Sequence, residues 1–205
     1  MYFDNIRLFS GDVPVDTGSP GPVDTGTTDT GVAFVGNQFT NPSFEDATNG
    51  WEVFPIGSGN FAPSVDGELI YGSSAVLGTY AGTGALKMYG AYTGGENITS
   101  IYQTFSDVPE GSTVTLNGWG LTHADDAIEG TTEAYLTVKF FDAGFGYLGG
   151  AASASIDATT PGTTWTALNA EAVVPAGTVF VQGVAEFGHC LGAGGAGSGL
   201  SLIHI

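Results

Sequence analysis

The fold is decided by the nine residues from Glu133 to Phe141, which read EAYLTVKFF. Apolar side chains occupy every second position of this stretch. Successive side chains of a β-strand point to opposite faces of the sheet, so the pattern predicts a strand with one buried face. The side chains predicted to face the core are those of Ala134, Leu136, Val138 and Phe140, and those predicted to face outward are Tyr135, Thr137 and Lys139.

Similar stretches recur along the chain between turn signals, and no segment shows a sustained helical period. Thr113 to Leu121 alternates in the same way, with Asn117 and Trp119 on its outward face. The other predicted strands are Ala85–Tyr89, Ile98–Phe105, a short one near Tyr147, Trp165–Val174 and Thr178–Phe187. About eight short antiparallel strands in one domain predict an all-β sandwich of the jelly-roll type.

Composition excludes several classes of partner. The chain has 21 acidic residues against 3 Lys and Arg, a formal net charge of -18. Nucleic acids and anionic membranes need a basic surface, so neither is an expected partner. Cys190 is the single cysteine, which rules out an intrachain disulfide. The acidic balance favours an extracellular or cell-surface protein in a calcium-containing medium, and an ordinary acidic, soluble surface is the alternative.

The chain divides into four predicted segments. Residues 1–10 form an amphipathic strand, interpreted as the last strand of a preceding repeat, and residues 11–31 form a Pro/Thr/Gly/Asp-rich linker. Residues 32–199 form the sandwich. Residues 200–205 read like the translation of a sequencing-library adapter, which predicts a non-native tail on a metagenomic fragment, with a genuine apolar strand as the alternative. We expect residues 2–8 to dock as the final strand of the sandwich, with neighbouring domains covalently linked in the full-length protein.

Several motifs together resemble those of jelly-roll carbohydrate-binding modules, the modules attached to cellulases and xylanases. The opening of such modules is matched by Asn41-Pro42-Ser43-Phe44-Glu45 followed by Gly50-Trp51. Further matches are Gly84 to Lys87, Gln103 with the hairpin from Pro109 to Leu116, Phe141-Asp142 with Gly146, and Tyr2 to Ile6, which resembles the usual last strand. Val114 departs from the pattern, since the modules usually have Tyr there. The resemblance implies a non-catalytic polysaccharide-binding module of a secreted multidomain protein.

The resemblance also implies a structural calcium ion. Carried over to this chain, Glu45 and Asp4 would supply side-chain oxygens, and Lys87 would supply only its carbonyl. Calcium accepts carboxylates and backbone carbonyls together. The alternative for Glu45 is a buried carboxylate that accepts backbone N–H bonds.

Sugar recognition needs aromatic faces together with amides and carboxylates. The outward positions of the middle strands offer these groups, and we expect them to share one sheet face that binds polysaccharide. The candidates are Trp119, Asn117, Tyr135, Lys139, Gln182 and Glu186. Trp51 is interpreted as a core residue, Trp165 is left open, and Tyr92 and Tyr102 could line the edge of a cleft.

Two other functions stay open. A glycoside hydrolase needs two carboxylates across a cleft; Asp126 with Glu186 is one pair that could be drawn, but no motif supports it. A structural adhesion or surface-layer repeat also fits the sequence. A second acidic cluster, made of Asp125, Asp126, Glu129 and Glu133, is interpreted as a solvated loop, with a further cation site or sugar contact as the alternative.

Overall fold

The structure is a computed structural model that describes residues 1–10, 37–54, 60–90 and 96–189. The predicted linker, Tyr92, Cys190 and the predicted tail lie outside these ranges. The described residues form ten β-strands: β1 (Tyr2–Ser10), β2 (Glu52–Phe54), β3 (Phe61–Val65), β4 (Gly84–Met88), β5 (Asn97–Ser106), β6 (Thr113–Leu121), β7 (Glu133–Phe141), β8 (Tyr147–Ala152), β9 (Thr166–Val173) and β10 (Phe180–His189). These ranges contain no helix able to cross a membrane.

The strands form two five-stranded antiparallel sheets. Sheet I has the order β3-β4-β1-β6-β9, and sheet II has the order β2-β5-β10-β7-β8. The prediction of an all-β jelly-roll sandwich is confirmed. Two strands, β2 and β3, were not predicted. Both lie at sheet edges, where short strands are usual and a proline such as Pro63 is tolerated.

The main core lies between the two sheets. The alternation of β7 is as predicted, because Ala134, Leu136, Val138 and Phe140 are all buried there. Gly183 on β10 leaves room for the Phe39 ring in this core, since a Cβ at that position would lie 2.4 Å from the ring. Trp51 packs against this core and stacks on Phe39 at 4.9 Å, which confirms its interpretation as a core residue.

Strand β1 occupies the middle of sheet I, between β4 and β6. Its register against β6 shifts between Asp4 and Arg7, and Asn5 within this irregularity has a φ of 50°. The amide of Ile6 donates to the carbonyl of Pro42 at 2.8 Å, which ties β1 to the opening motif. The origin of this strand in a preceding repeat stays a prediction.

A second, smaller core covers part of the outer face of sheet I. The segment 66–83 folds over this face and is closed by a bridge between Leu69 and Val76. The buried members of this core are Tyr2, Ile70, Leu77, Ala85 and Leu121, with Ala75 and Trp165 packed against them. Sheet II carries no comparable cover among the described residues, and its outer face holds the candidate site.

Candidate functional site

The six predicted sugar-binding residues fall on two different sheets. Trp119 and Asn117 lie on β6 in sheet I, whereas the other four lie on β7 and β10 in sheet II. The expectation of one shared face is therefore wrong for Trp119 and Asn117. Strand alternation predicts which side chains point outward, but it does not say which sheet a strand joins.

The four residues on sheet II lie together on its outer face. Gln182 pairs with Lys139 in register, and Glu186 pairs with Tyr135. The Lys139 ammonium donates to Glu186 Oε1 at 2.8 Å, and the Ser100 hydroxyl donates to the same oxygen at 3.0 Å. These bonds hold the Glu186 carboxylate in one position across β5, β10 and β7.

A groove runs over these strands with a cavity volume of about 290 Å³. Its lining combines aromatic rings with amide, hydroxyl and ammonium groups: Phe54, Ser100, Tyr102, Lys139, Phe141, Phe145, Gln182 and Val184. Phe54 is 61% exposed and Phe145 is 56% exposed, so two aromatic rings of the lining face solvent. Exposed aromatic faces beside hydrogen-bonding groups are the combination expected of a ligand site.

The turn after β7 holds Phe145 firmly although its ring is exposed. Asp142 Oδ1 accepts hydrogen bonds of 2.8 Å from the amides of both Gly144 and Gly146. The Phe145 ring stacks on Phe180, with the ring centroids 4.5 Å apart and the planes within 9°. A fixed ring loses little conformational entropy when a ligand packs on it.

Two phenols on this face stay protonated in neutral solution. Burial, helped by the carboxylates of Glu186 and Glu133, raises the pKa of Tyr135 to about 12. Burial also raises the pKa of Tyr102, helped by Glu52, whose Oε2 lies 3.4 Å from the Tyr102 hydroxyl. Both hydroxyls can therefore donate as well as accept hydrogen bonds.

Sequence reasoning missed five lining residues: Phe54, Ser100, Phe141, Phe145 and Val184. A signal existed for three of them. Ser100 lies two residues from Tyr102 on β5 and therefore faces the same side. Phe141 has the same parity as Tyr135 and Lys139 on β7, and Val184 lies midway between Gln182 and Glu186 on β10. Phe54 and Phe145 gave no periodic signal, because the first lies on a three-residue strand and the second lies in a turn. Tyr102 lines the groove as its interpretation at a cleft edge suggested.

The opening motif organises a loop beside sheet I. Asn41 has a φ of 52°, and its side-chain amide donates to the carbonyls of Asp46, Ala47 and Asn49. Phe44 is buried and stacks on Trp51, with ring centroids 5.0 Å apart. The motif thus sets the loop geometry and directs the residue that follows Phe44.

That residue, Glu45, holds the segment that leads into β4. Its carboxylate accepts bonds of 3.0 Å from the amides of Thr83 and Gly84. Gly82 is required for this approach, since a Cβ there would lie 2.1 Å from Glu45 Oε1. Slight burial acts to raise the pKa of Glu45, but these backbone donors outweigh it and leave the pKa lowered. The carboxylate accepts backbone N–H bonds, as in the alternative interpretation, but the side chain is exposed rather than buried.

Asp4 is fully buried and reaches the same segment from β1. Its Oδ2 accepts a bond of 2.9 Å from the amide of Ala81, whereas Oδ1 has no hydrogen-bond partner. Burial, helped by the nearby charge of Glu45 and opposed by hydrogen bonds from backbone amides, raises the pKa of Asp4 to about 7. An unpartnered, buried carboxylate oxygen beside a second carboxylate is chemistry that a cation would satisfy.

The side chain of Lys87 is engaged elsewhere. Its ammonium pairs with Glu68, so only its carbonyl is left for the predicted metal role. Across the described ranges there is no group of three or more His, Cys, Asp and Glu side chains that could hold a metal. A cation at Asp4 and Glu45 would therefore depend on main-chain oxygens for much of its coordination.

The two predicted residues on sheet I have neighbours of their own. Trp119 stacks on Tyr80 with ring centroids 4.1 Å apart, and Tyr80 in turn contacts Trp165. Trp165 donates its indole N–H to the carbonyl of Gly78 at 2.8 Å, so it fastens the covering segment. Asn117 accepts a hydrogen bond from Asn169 of β9.

The second acidic cluster lies in the β6–β7 connection and at the start of β7, and its described side chains form no group of three or more that could hold a metal. Asp125 and Glu129 are exposed, Asp126 is 8% exposed, and Glu133 accepts a bond from Ser155 at 2.8 Å. Asp126 lies in this connection, whereas Glu186 lies in the middle of β10 and is held by Lys139. Nothing in this arrangement singles out that pair as an acid and a base.

No protein-family model matches the chain, and no curated protein matches it. Among solved structures, it is similar to the enzymatically active domain of tailspike protein 4 from bacteriophage CBA120, at 15% identity and a TM-score of 0.47, over 72% of this chain and 18% of that one. It is also similar to a family 16 carbohydrate-binding module, at 18% identity and a TM-score of 0.45, over 74% and 94% of the two chains. A third is the CBM22-1 xylan-binding domain of Xyn10C from Paenibacillus barcinonensis, at 16% identity and a TM-score of 0.42, over 71% and 85%.

Two of these structures are carbohydrate-binding modules, the class that the sequence motifs resemble. The chain spans less than a fifth of the tailspike chain. Because the identities do not exceed 18% and the TM-scores lie below 0.5, the function proposed below depends on the chemistry of the site itself.

Proposed function

We propose that the chain is a non-catalytic polysaccharide-binding module of a secreted multidomain protein, and that it binds its ligand in the groove on sheet II. The observation that carries the proposal is the groove lining. Phe54 and Phe145 offer exposed rings, while Tyr102, Gln182 and Lys139 offer donors and acceptors between them. Sugar rings present C–H faces and hydroxyl edges, so this lining matches both parts of a saccharide.

Binding in this groove would be an equilibrium process. The rings of Phe54 and Phe145 would pack against C–H faces of the sugar, and Gln182 and Tyr102 would bond its hydroxyls. Glu186, the carboxylate that two groove-lining residues contact, already accepts bonds from Lys139 and Ser100. Because one carboxylate oxygen is already engaged by these two donors, the pairing favours a binding role for Glu186 over the role of a catalytic acid.

Retention on insoluble polysaccharides tests the proposal. We expect the protein to be retained on at least one member of a panel of cellulose, xylan, mannan and agar-type galactan. Phe54→Ala should weaken retention about fivefold or more, because a stacked aromatic ring contributes about 1–3 kcal/mol. Tyr71→Ala is the matched control, since Tyr71 is 52% exposed but belongs to the segment over sheet I.

Three outcomes would contradict the proposal. Retention on no member of the panel would favour the structural adhesion or surface-layer role. Equal loss of retention in Phe54→Ala and Tyr71→Ala would show that the groove is not the binding site. Release of reducing sugar from a retained polysaccharide would indicate a glycoside hydrolase instead.

A structural calcium ion is the second part of the proposal. Asp4 and Glu45 would hold it, with backbone carbonyls, including that of Lys87, completing the oxygen shell. Its support is the buried Asp4 Oδ1, which has no hydrogen-bond partner, and the second carboxylate that bonds the same segment. The ion would fix this segment to β1 in a sandwich whose single cysteine allows no intrachain disulfide.

Calorimetric titration of calcium into chelator-treated protein tests this part on its own. We expect one binding event and a higher melting temperature, because a ligand that binds only the folded state stabilises it. Asp4→Asn should abolish the binding, while Asp125→Asn, a change in the exposed acidic loop, should leave it intact. Absence of heat together with an unchanged melting temperature would rule out the ion.

A further inference from the structure

A row of planar polar side chains crosses the open part of the outer face of sheet I. Arg7 on β1 pairs in register with Asn117 on β6, and Asn117 pairs with Asn169 on β9. All three side chains point away from the core, since their neighbours Leu8, Leu116 and Leu168 are buried in it. Adjacent strands lie about 4.8 Å apart, so this Arg–Asn row is about 10 Å long.

The guanidinium of Arg7 is held in place through its Nε–H, and its terminal N–H groups have no hydrogen-bond partner among the described residues. Its Nε–H donates to Asn5 Oδ1 at 2.9 Å, and Asn5 is itself fixed by the irregularity in β1 at a φ of 50°. Within the described ranges the ion pairs are those of Lys87 with Glu68 and of Lys139 with Glu186. Arg7 has no carboxylate partner there, and its terminal N–H groups form the fork that fits a carboxylate.

The neighbours of Arg7 add the contacts that a sugar needs. Asn169 Nδ2 donates to Asn117 Oδ1, and among the hydrogen bonds of the described residues this leaves both N–H donors of Asn117, and one N–H donor and the carbonyl oxygen of Asn169, for a ligand. Trp119 lies two residues from Asn117 on the same face, and its ring, stacked on Tyr80, closes one side of the row. On the other side, Thr115 donates to Glu171 at 3.5 Å.

We propose that the Arg–Asn row is a second saccharide site, separate from the groove, that binds a uronic acid unit. Arg7 would bind the carboxylate through its fork, and Asn117 and Asn169 would bond the ring hydroxyls. The net charge of -18 opposes any anion at long range, but exposed charges beyond about 8 Å are screened at physiological ionic strength. The short-range contact with the Arg7 guanidinium therefore decides whether the site prefers a sugar that carries a carboxylate. This site does not depend on the groove of the proposed function.

Side-chain NMR of the full chain gives a direct test, because Arg7 is the single arginine and its Nε–H signal needs no further assignment. The probe is methyl β-D-glucuronide, added up to about 50 mM so that millimolar affinities are covered. We expect saturable shifts of the Arg7 Nε–H and of the Asn117 and Asn169 side-chain amides. Methyl β-D-glucoside, which lacks the carboxylate, should bind at least about tenfold more weakly.

Variants separate this site from its surroundings. Arg7→Gln should abolish the response of the Asn117 amide, and Glu171→Gln should leave it unchanged or strengthen it, because it removes a nearby negative charge. Retention of Arg7→Gln on the polysaccharide that the groove binds should be unaffected. Loss of that retention would contradict the separation of the two sites.

Three results would overturn the proposal. They are the absence of any Arg7 shift with the glucuronide, an equal affinity for the glucoside, and an equal response to sodium acetate, which would reduce the row to a nonspecific ion contact. None of these results bears on the proposal that the groove binds polysaccharide. Conversely, a protein that is retained on no polysaccharide but responds to the glucuronide would refute polysaccharide binding in the groove and support uronic acid binding at the Arg–Asn row.

Discussion

The two outer faces of the sandwich use their aromatic residues differently. On sheet I, the segment 66–83 packs Ile70 and Leu77 onto the strands and stacks Tyr80 on Trp119. On sheet II, Phe54 and Phe145 border an open groove. Outward-facing side chains of a strand can therefore either pack under a covering segment or border an open groove.

The comparison predicts that the covered face contributes most to stability. Leu77 is 1% exposed, so Leu77→Ala should lower the free energy of unfolding by about 2–5 kcal/mol, through lost burial and the cavity left behind. Leu69→Ala is the control in the same segment, because Leu69 is 64% exposed and its loss should cost less than about 0.5 kcal/mol. Urea unfolding measures both, and equal costs would show that the segment does not pack as described.

A second prediction concerns Asp4 on the covered side. Its folded-state pKa of about 7 lies above the ordinary value of 3.8, so the folded state binds the proton more tightly than the unfolded state does. Without calcium, stability should therefore fall as pH rises from about 4 to about 7, by up to about 4 kcal/mol from this group. Calcium should offset the loss at neutral pH, because it binds the deprotonated carboxylate.

Urea unfolding in chelator at several pH values measures this slope. Asp4→Asn should remove it, whereas Asp125→Asn should retain it. An unchanged slope in Asp4→Asn would show that other carboxylates govern the pH dependence.

On the open face, the expected effects shift from stability to binding. Phe145→Ala should weaken binding of the retained polysaccharide by about 1 kcal/mol while lowering stability by less than that, because the ring is mostly exposed. Tyr147→Ala is a suitable control, since Tyr147 is 63% exposed but does not line the groove. Affinity electrophoresis compares the two variants. A larger loss of affinity in Tyr147→Ala would show that the ligand contacts Tyr147 rather than Phe145.

The smallest effect is expected at the ion pair in the groove. Lys139 is partly exposed, so Lys139→Gln should cost less than about 1 kcal/mol of stability. Ser100 still donates to Glu186 in that variant, and glutamine can replace one bond. Binding should weaken only a few fold. A loss of more than about tenfold would indicate that the ammonium contacts the ligand directly.

Much of the framework was predictable, and the site was predictable only in part. The alternation of Glu133 to Phe141 correctly gave the buried face of β7, because burial of one face imposes a period of two. The same rule could not say that β6 joins sheet I while β7 joins sheet II, so Trp119 was placed on the wrong face. Phe54 and Phe145 escaped detection because neither lies in a periodic stretch. The calcium ion and the polysaccharide stay proposals.

The most direct test of the central claim maps the ligand by backbone amide NMR. The probe is the soluble oligosaccharide of whichever panel polysaccharide retains the protein. We predict that shifts concentrate on sheet II, at Tyr102 of β5, Lys139 of β7 and Gln182 and Val184 of β10. Shifts confined to segment 66–83 and β6 would contradict the account, because they would place the ligand on the covered face.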